Sequence, residues 1–344
     1  MNRKKISPTC TIKTPFCSLY NPMEKIKRYI IIIGIAMLTN LPQLMAQFDG
    51  QLTQYMLNAA AFNPGGIALN SDMNVHLHFR EQWTGFENAP STFNLQANMP
   101  VRMGEKVNGI GMLMVNESIG LFKTQWFQAQ YAHKFKLWQG TLSAGVQGGL
   151  LQQNFDASGI YIPSGDGFSQ SDASIPDGDL EGMIPDVSLG LWYTRGPWYA
   201  GLSCSHVIGG KLKLNPEEST EEEDVATMRV SQTIYFTGGY NISLKNPLFT
   251  LQPSFLLKSD FVAWQADLSA ILHYNKQFWG GVDWRPGSDL GFLVGMNFEF
   301  GLSIGYSFDV SMQQATGSHE VMIGYRKKID TSKINKQQKS IRLL

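Results

Sequence analysis

The chain has 344 residues, of which 43% are hydrophobic, 12% aromatic and only 16% charged, and its 28 basic and 28 acidic side chains cancel to zero net charge. Soluble domains usually carry about 25% charged residues, so the solvating surface of an ordinary soluble protein is missing. Zero net charge gives no general basis for binding nucleic acid, which requires a basic surface to neutralise phosphates.

From Met23 the sequence reads MEKIKRYIIIIGIAMLTNLPQLMAQFDG, with Lys25, Lys27 and Arg28 ahead of an apolar run that starts at Tyr29. Leu44, Met45 and Ala46 then form a small-residue cleavage site before Gln47. This is the pattern of a secretory signal. Its apolar run of about ten residues is half of the roughly twenty that a spanning helix needs, which disfavours a membrane anchor. No cysteine stands at the cleavage point, so a lipid-anchored product is not expected. Residues 1–22 precede the better-formed start at Met23, and 1–46 are read as an upstream extension plus the signal. Recovery of a peptide from 1–22 in mature protein would overturn the later start. Beyond Ala46 the sole cysteine is Cys204, so the mature chain forms no internal disulfide. Residues 47–70 are assigned to an N-terminal segment that either stands in the periplasm or acts as a plug.

From residue 71 onward the sequence alternates. Leu302, Ile304, Tyr306, Phe308 and Val310 fall on one face of their segment, with Ser303, Gly305, Ser307 and Asp309 on the other. The same period of two runs through Phe93–Met99, Leu142–Leu150, Trp264–Tyr274 and Leu290–Phe298. Alternation sustained over about ten residues marks membrane β-strands, apolar toward lipid and polar or small toward the lumen. About fourteen such segments are expected, centred near residues 76, 95, 112, 129, 146, 190, 203, 236, 254, 268, 281, 294, 305 and 322. The expected fold is therefore an all-β transmembrane antiparallel barrel over 71–327.

The connections test that topology independently. The turns PVRMGEK, FKLWQ, RGP, LKNP, NK and EF are short, and the two longest connections, after Gln153 and after Ile208, both have the opposite parity. Short periplasmic turns with long outer loops are the known asymmetry of bacterial outer-membrane barrels. A soluble β-sandwich or lipocalin would have shorter strands and a more charged exterior.

No chemical motif stands out. Asp166, Asp172, Asp177, Asp179 and Glu181 lack the ligand spacing of an EF-hand and read as a solvated outer loop, as does the cluster Glu217, Glu218 and Glu221–Asp224. His76 and His78 share one strand face, read as luminal; that spacing permits a metal but brings no carboxylate or thiol with it, so no metal site is expected. GxSxG, HExxH and phosphate-loop patterns are absent from the sequence, and neither enzymatic activity nor a cofactor is expected. The basic tail 328–344 is expected to hang in the periplasm, free or against a partner there.

Several stretches, in order, resemble the PorP/SprF family of type IX secretion and gliding-motility membrane proteins. They include QLTQYMLNAAAFNPGGIAL, FREQWTGFENAPSTFNLQANMP, VNGIGMLMVNESIGLF, PDVSLGLWY, FWGGVDWRPG and GLSIGYSFDVSMQQATGSHEVMIGY, and they cover nearly all of the chain from Gln47 to about Lys327. The resemblance implies an outer-membrane barrel of a Bacteroidetes-type bacterium, associated with a periplasmic ring or lipoprotein subunits. It implies a role in secretion or surface attachment of particular cargo proteins, often large adhesins. A rival reading is a transporter of hydrophobic small molecules, because AFNPGGIAL is also similar to the hatch segment of the fourteen-stranded FadL-type channels.

The connection REQWTGFENAP holds the first candidate interaction residues, Arg80, Trp83, Phe86 and Pro90. They either anchor this loop at the membrane interface or form a recognition surface for cargo or a neighbouring subunit. Tyr55, Asn63 and Pro64, in the N-terminal motif of the resemblance, complete the candidate set.

Overall fold

The computed structural model describes residues 49–104, 106–157, 179–216, 226–313 and 316–329. The signal sequence, the cluster Asp166–Asp177, the run Glu217–Asp224 and the tail beyond Ile329 lie outside the described residues.

The described chain forms strands β1 (Asp72–Glu81), β2 (Ser91–Met103), β3 (Lys106–Ile119), β4 (Phe122–Leu137), β5 (Gly140–Phe155) and β6 (Leu180–Arg195). Next come β7 (Trp198–Ser205), β8 (Gly210–Pro216), β9 (Ala226–Val230), β10 (Thr233–Tyr240), β11 (Ile242–Ser243) and β12 (Phe249–Ser259). The last five are β13 (Trp264–Tyr274), β14 (Phe278–Arg285), β15 (Asp289–Asn297), β16 (Leu302–Ser311) and β17 (Gly317–Lys328). Without the accessory strands β8, β9 and β11, fourteen strands pair antiparallel with their neighbours, and β7 joins β10 directly. The sheet closes where β17 meets β1, from Asp72 opposite Lys328 to Glu81 opposite His319. All fourteen expected segments coincide with these strands. Closure matters because an open edge in hydrocarbon would leave backbone groups without partners.

Alternation decides which face of each strand meets lipid. On β5 the outward Leu142, Ala144, Val146, Gly148 and Leu150 oppose the inward Ser143, Gly145, Gln147 and Gly149. Nine residues at about 3.3 Å each, tilted by about 40°, give an apolar band of roughly 23 Å, the height of an outer-membrane barrel. We call the end where β1 begins and β17 ends the terminal rim, and the opposite end the loop rim.

β7 and β8 continue each other across a bend at His206–Gly209, where His206 and Gly209 have φ of 56° each. The β8–β9 hairpin turns inward instead of standing clear of the barrel. Leu212 and Leu214 are buried against the inward Trp126, Leu151 and Leu180, with Val115, Ile184, Met228 and Val230 around them. A Cβ on the inward Gly182 would overlap the Lys213 carbonyl, so the hairpin backbone lies directly on the inner wall of β6.

Candidate functional site

The lumen is occupied by the chain's own N-terminal segment. Residues 49–71 enter near the loop rim, run down the inside and leave at the terminal rim to begin β1. Three short 3-10 turns, Tyr55–Leu57, Ala59–Ala61 and Pro64–Gly66, fold this stretch compactly. The turn chemistry is local: Asn63 caps the third turn by accepting from the Gly65 amide at 2.8 Å, and Pro64 supplies the fixed φ suited to a first helical position.

Glycines on the inner wall make room for this segment. A side chain at Gly190 would overlap the Asn63 amide oxygen, and one at Gly145 would overlap the Pro64 backbone. The wall then grips the segment with hydrogen bonds. Asn63 Nδ2 donates to the Leu191 carbonyl at 3.1 Å, Ser203 Oγ to the Phe62 carbonyl at 2.7 Å, and Gln130 Nε2 to the Ala60 carbonyl at 2.9 Å. Near the terminal rim the Ala68 amide donates to Asn98 Oδ1 at 2.8 Å, and the Lys134 ammonium donates to the Ala68 carbonyl.

Two buried charge clusters line the lumen, and the first of them also holds the segment. In the first, Arg80 Nη2 lies 2.7 Å from Asp309 and Nη1 lies 3.5 Å from Glu320. Arg80 also donates to Thr53 Oγ1 at 2.8 Å, and that hydroxyl donates to Asp309 at 2.6 Å. Glu320 accepts from the Thr53 and Gln54 amides at 2.7 and 3.2 Å, and His78 Nδ1 is 3.3 Å from it. In the second, Arg285 meets Asp267 at 2.5 Å and Asp289 at 2.7 Å.

A relay of amides runs along the inner wall from β2 to β6. Asn98 donates to Gln96, Gln96 to Gln130, Gln130 to Gln147, Gln147 to Gln128, and Gln128 to Asp186. His206 then stands between Asp186 and Asp49, 3.0 Å from each, and the Tyr235 hydroxyl donates to Asp49 at 2.6 Å. His206 thereby pins the start of the described segment to the inner wall.

Between this segment and the inner wall lies a cavity of about 80 Å³, with an aromatic and aliphatic lining that includes Tyr55, Phe62, Trp126 and Tyr235. The side-chain polar atoms Thr92 Oγ1, Asn94 Oδ1, Trp126 Nε1 and Ser188 Oγ, from residues lining it, are buried without a hydrogen-bond partner.

The candidate interaction residues do not form one surface. Arg80 is only 1% exposed and points into the lumen, which corrects its assignment to an outer recognition surface. The signal was present in the sequence: Arg80 has the parity of His76 and His78, already assigned to the luminal face. Tyr55, Asn63 and Pro64 are buried in the N-terminal segment, and Pro90 is buried at the start of β2. Trp83 is half-buried and Phe86 is 55% exposed, so only these two of the seven reach the loop rim. Their loop is tied down: the Trp83 amide donates to Ser318 Oγ at 3.2 Å, the Thr84 amide to the Gly317 carbonyl at 2.9 Å, and the Gln82 amide to the Pro90 carbonyl at 2.8 Å. Trp83 itself adopts a φ of 48°, a strained value for a bulky residue. The pair His76 and His78 does acquire a carboxylate, Glu320, but Glu320 is engaged by Thr53, Gln54 and Arg80. Among the described residues no group of three or more His, Cys, Asp or Glu side chains is arranged to hold a metal ion.

A family described as type IX secretion system membrane protein PorP/SprF matches residues 44–325. The chain belongs to the PorP/SprF family. This member is thus a type IX secretion system membrane protein with the β-barrel fold of the outer membrane. No curated protein matches it. Among solved structures it is similar to the Ralstonia pickettii toluene transporter TbuX, at 12% identity and a TM-score of 0.45 over 81% of this chain and 94% of that one. It is also similar to Acinetobacter baumannii Omp33, at 7% identity and 0.43 over 74% and 97%, and to the translocator domain of Neisseria meningitidis NalP, at 12% and 0.42 over 80% and 95%. Identities this low extend to the fold alone.

Proposed function

We propose that this PorP/SprF family member is a docking barrel of the type IX secretion and gliding machinery. Its loop rim faces outward and holds or releases particular cargo proteins, and its terminal rim meets periplasmic ring or lipoprotein subunits. The barrel acts by binding, without covalent chemistry. The observation that carries this reading is the family match across 44–325. The filled lumen supports docking over conduction, since the N-terminal segment and the β8–β9 hairpin both occupy the path a polypeptide would take. The test is a comparison of surface and culture-fluid proteins between the native host and a strain lacking this gene. Loss of one or a few large exported proteins is expected; an unchanged set would sink the secretion role.

The cavity beside the segment favours a second reading, uptake of small hydrophobic molecules. Its partly apolar wall and unpartnered polar atoms suit a compact amphipathic ligand. Mass spectrometry of the native purified barrel would find a retained small molecule if this holds, and an empty barrel if it does not.

A further inference from the structure

The zero net charge conceals a division between the two rims. At the terminal rim the described cations are Arg102, Lys134, Lys136, Arg326 and Lys328 at inward strand positions, Lys106, Arg195 and Lys327 at outward positions, and Lys245 and Lys276 in turns. Against them the described residues of that rim offer only the carboxylates Asp72 and Glu299. Among the described residues, none of these cations lies within ion-pair distance of a carboxylate. The described loop rim is mixed instead, with the carboxylates Glu81, Glu87, Asp179 and Asp260 beside the cations Lys123, Lys211 and Arg229.

Strand parity separates two explanations for the basic rim. Cations that meet lipid phosphates must point outward, and Lys106, which sits over the Phe135 ring at 5.7 Å on the outer surface, is of that kind. The inward cations point at the mouth of the lumen, where no lipid reaches. They lie on β17, β2 and β4, within the unbroken run of neighbours β17, β1, β2, β3 and β4. Four strand spacings of about 4.8 Å make this arc roughly 20 Å wide, the length of an extended segment of about six residues. A single phosphate would span only a fraction of it. Lys134 is engaged with the Ala68 carbonyl, while Lys136, Arg326 and Lys328 are exposed. At the β17 end lies a cleft of about 560 Å³ where the cations Lys276, Arg326, Lys327 and Lys328 outnumber the carboxylates Asp72 and Glu299. A second copy is not the occupant, because barrels in one membrane share an orientation and never bring the terminal rim of one to the loop rim of another.

We propose that the terminal mouth docks an acidic polypeptide segment, laid along the arc of Arg102, Lys136, Arg326 and Lys328. The docking reading above supplies only the identity of the partner as a secretion component; the binding itself rests on the charge and its placement.

The test uses the full mature chain in neutral-lipid nanodiscs and a fluorescent oligoglutamate peptide, with anisotropy read at about 0.05 M and about 0.3 M salt. Replacing the inward set, Lys136→Gln, Arg326→Gln and Lys328→Gln, is expected to weaken binding at least about tenfold, and salt to weaken the wild type similarly. Replacing the outward set, Lys106→Gln, Arg195→Gln and Lys327→Gln, makes the same change in charge and is expected to cost less than about twofold. Each variant is first confirmed as folded by its gel mobility with and without heating. Equal losses from both sets would overturn the proposal as generic attraction. Absence of binding by the wild type would also overturn it, as would an inward set that changes only association with phosphatidylglycerol nanodiscs. Loss of the secretion phenotype is measured separately, so a barrel that binds the peptide in a host with unchanged exported proteins would refute the secretion role and leave this site standing.

Discussion

Arg80 ties the N-terminal segment to the wall, because one guanidinium neutralises Asp309 and Glu320 and also holds Thr53. Removing one partner of a buried ionic cluster leaves the remaining charges without compensation, which costs about 3–5 kcal/mol. Arg80→Met is therefore expected to lower the urea midpoint of the purified barrel by that equivalent. Adding Asp309→Asn and Glu320→Gln should recover much of the loss; a single variant as stable as wild type would show that the cluster contributes little. His206 holds the start of the segment in the same way, 3.0 Å from both Asp49 and Asp186. Neither residue could be weighted from sequence, since the value of a charge in a strand depends on what stands opposite it across the lumen.

At the scale of elements, the N-terminal segment and the wall are fitted to each other through absent side chains. Gly190→Ala places a methyl group against Asn63, whose amide is already fixed to Leu191, so the segment must move or the wall must bend. Limited proteolysis is expected to cut within 50–70 in this variant while the barrel itself stays protected. Gly148→Ala is the matched control: it lies on the lipid face, its nearest neighbour is the Asp186 carbonyl at 4.0 Å, and it should resist like wild type. Equal cleavage in both variants would mean that Gly190 does not hold the segment. The β-strands were legible in the sequence because a single local rule, apolar outward and small or polar inward, is imposed at every turn of the pleat. The inward turn of the β8–β9 hairpin was not, because Leu212 and Leu214 alternate in the same way whether they face lipid, solvent or the inner wall.

At the scale of the whole molecule, the barrel is a closed wall around an occupied lumen. Deleting residues 49–70 removes the segment and with it the backbone groups that satisfy Glu320, Gln130 and Asn98. In planar bilayers the shortened chain is expected to conduct ions steadily where the full chain is nearly silent. Equally high conductance would show that the lumen is open despite the segment, and equal silence would show that the β8–β9 hairpin closes it without the segment. The same closure explains why the candidate recognition set divides between two places. Trp83 and Phe86 stay at the loop rim, whereas Tyr55, Asn63, Pro64 and Arg80 serve the interior contact between segment and wall.

The amino-acid sequence alone determined the strand number, the pairing order of most neighbours and the lipid-facing residues. Each of these depends on local alternation and connection length, which bilayer thickness and backbone satisfaction translate directly into a barrel. Tertiary structure decided the rest: that 49–71 lies inside the barrel, that Arg80 faces Asp309 and Glu320 across 229 and 240 positions of chain, and that cations scattered over β2, β4 and β17 gather at one mouth. Closing the sheet brings the first strand beside the last, and contacts across that seam and through the lumen have no signature in local sequence.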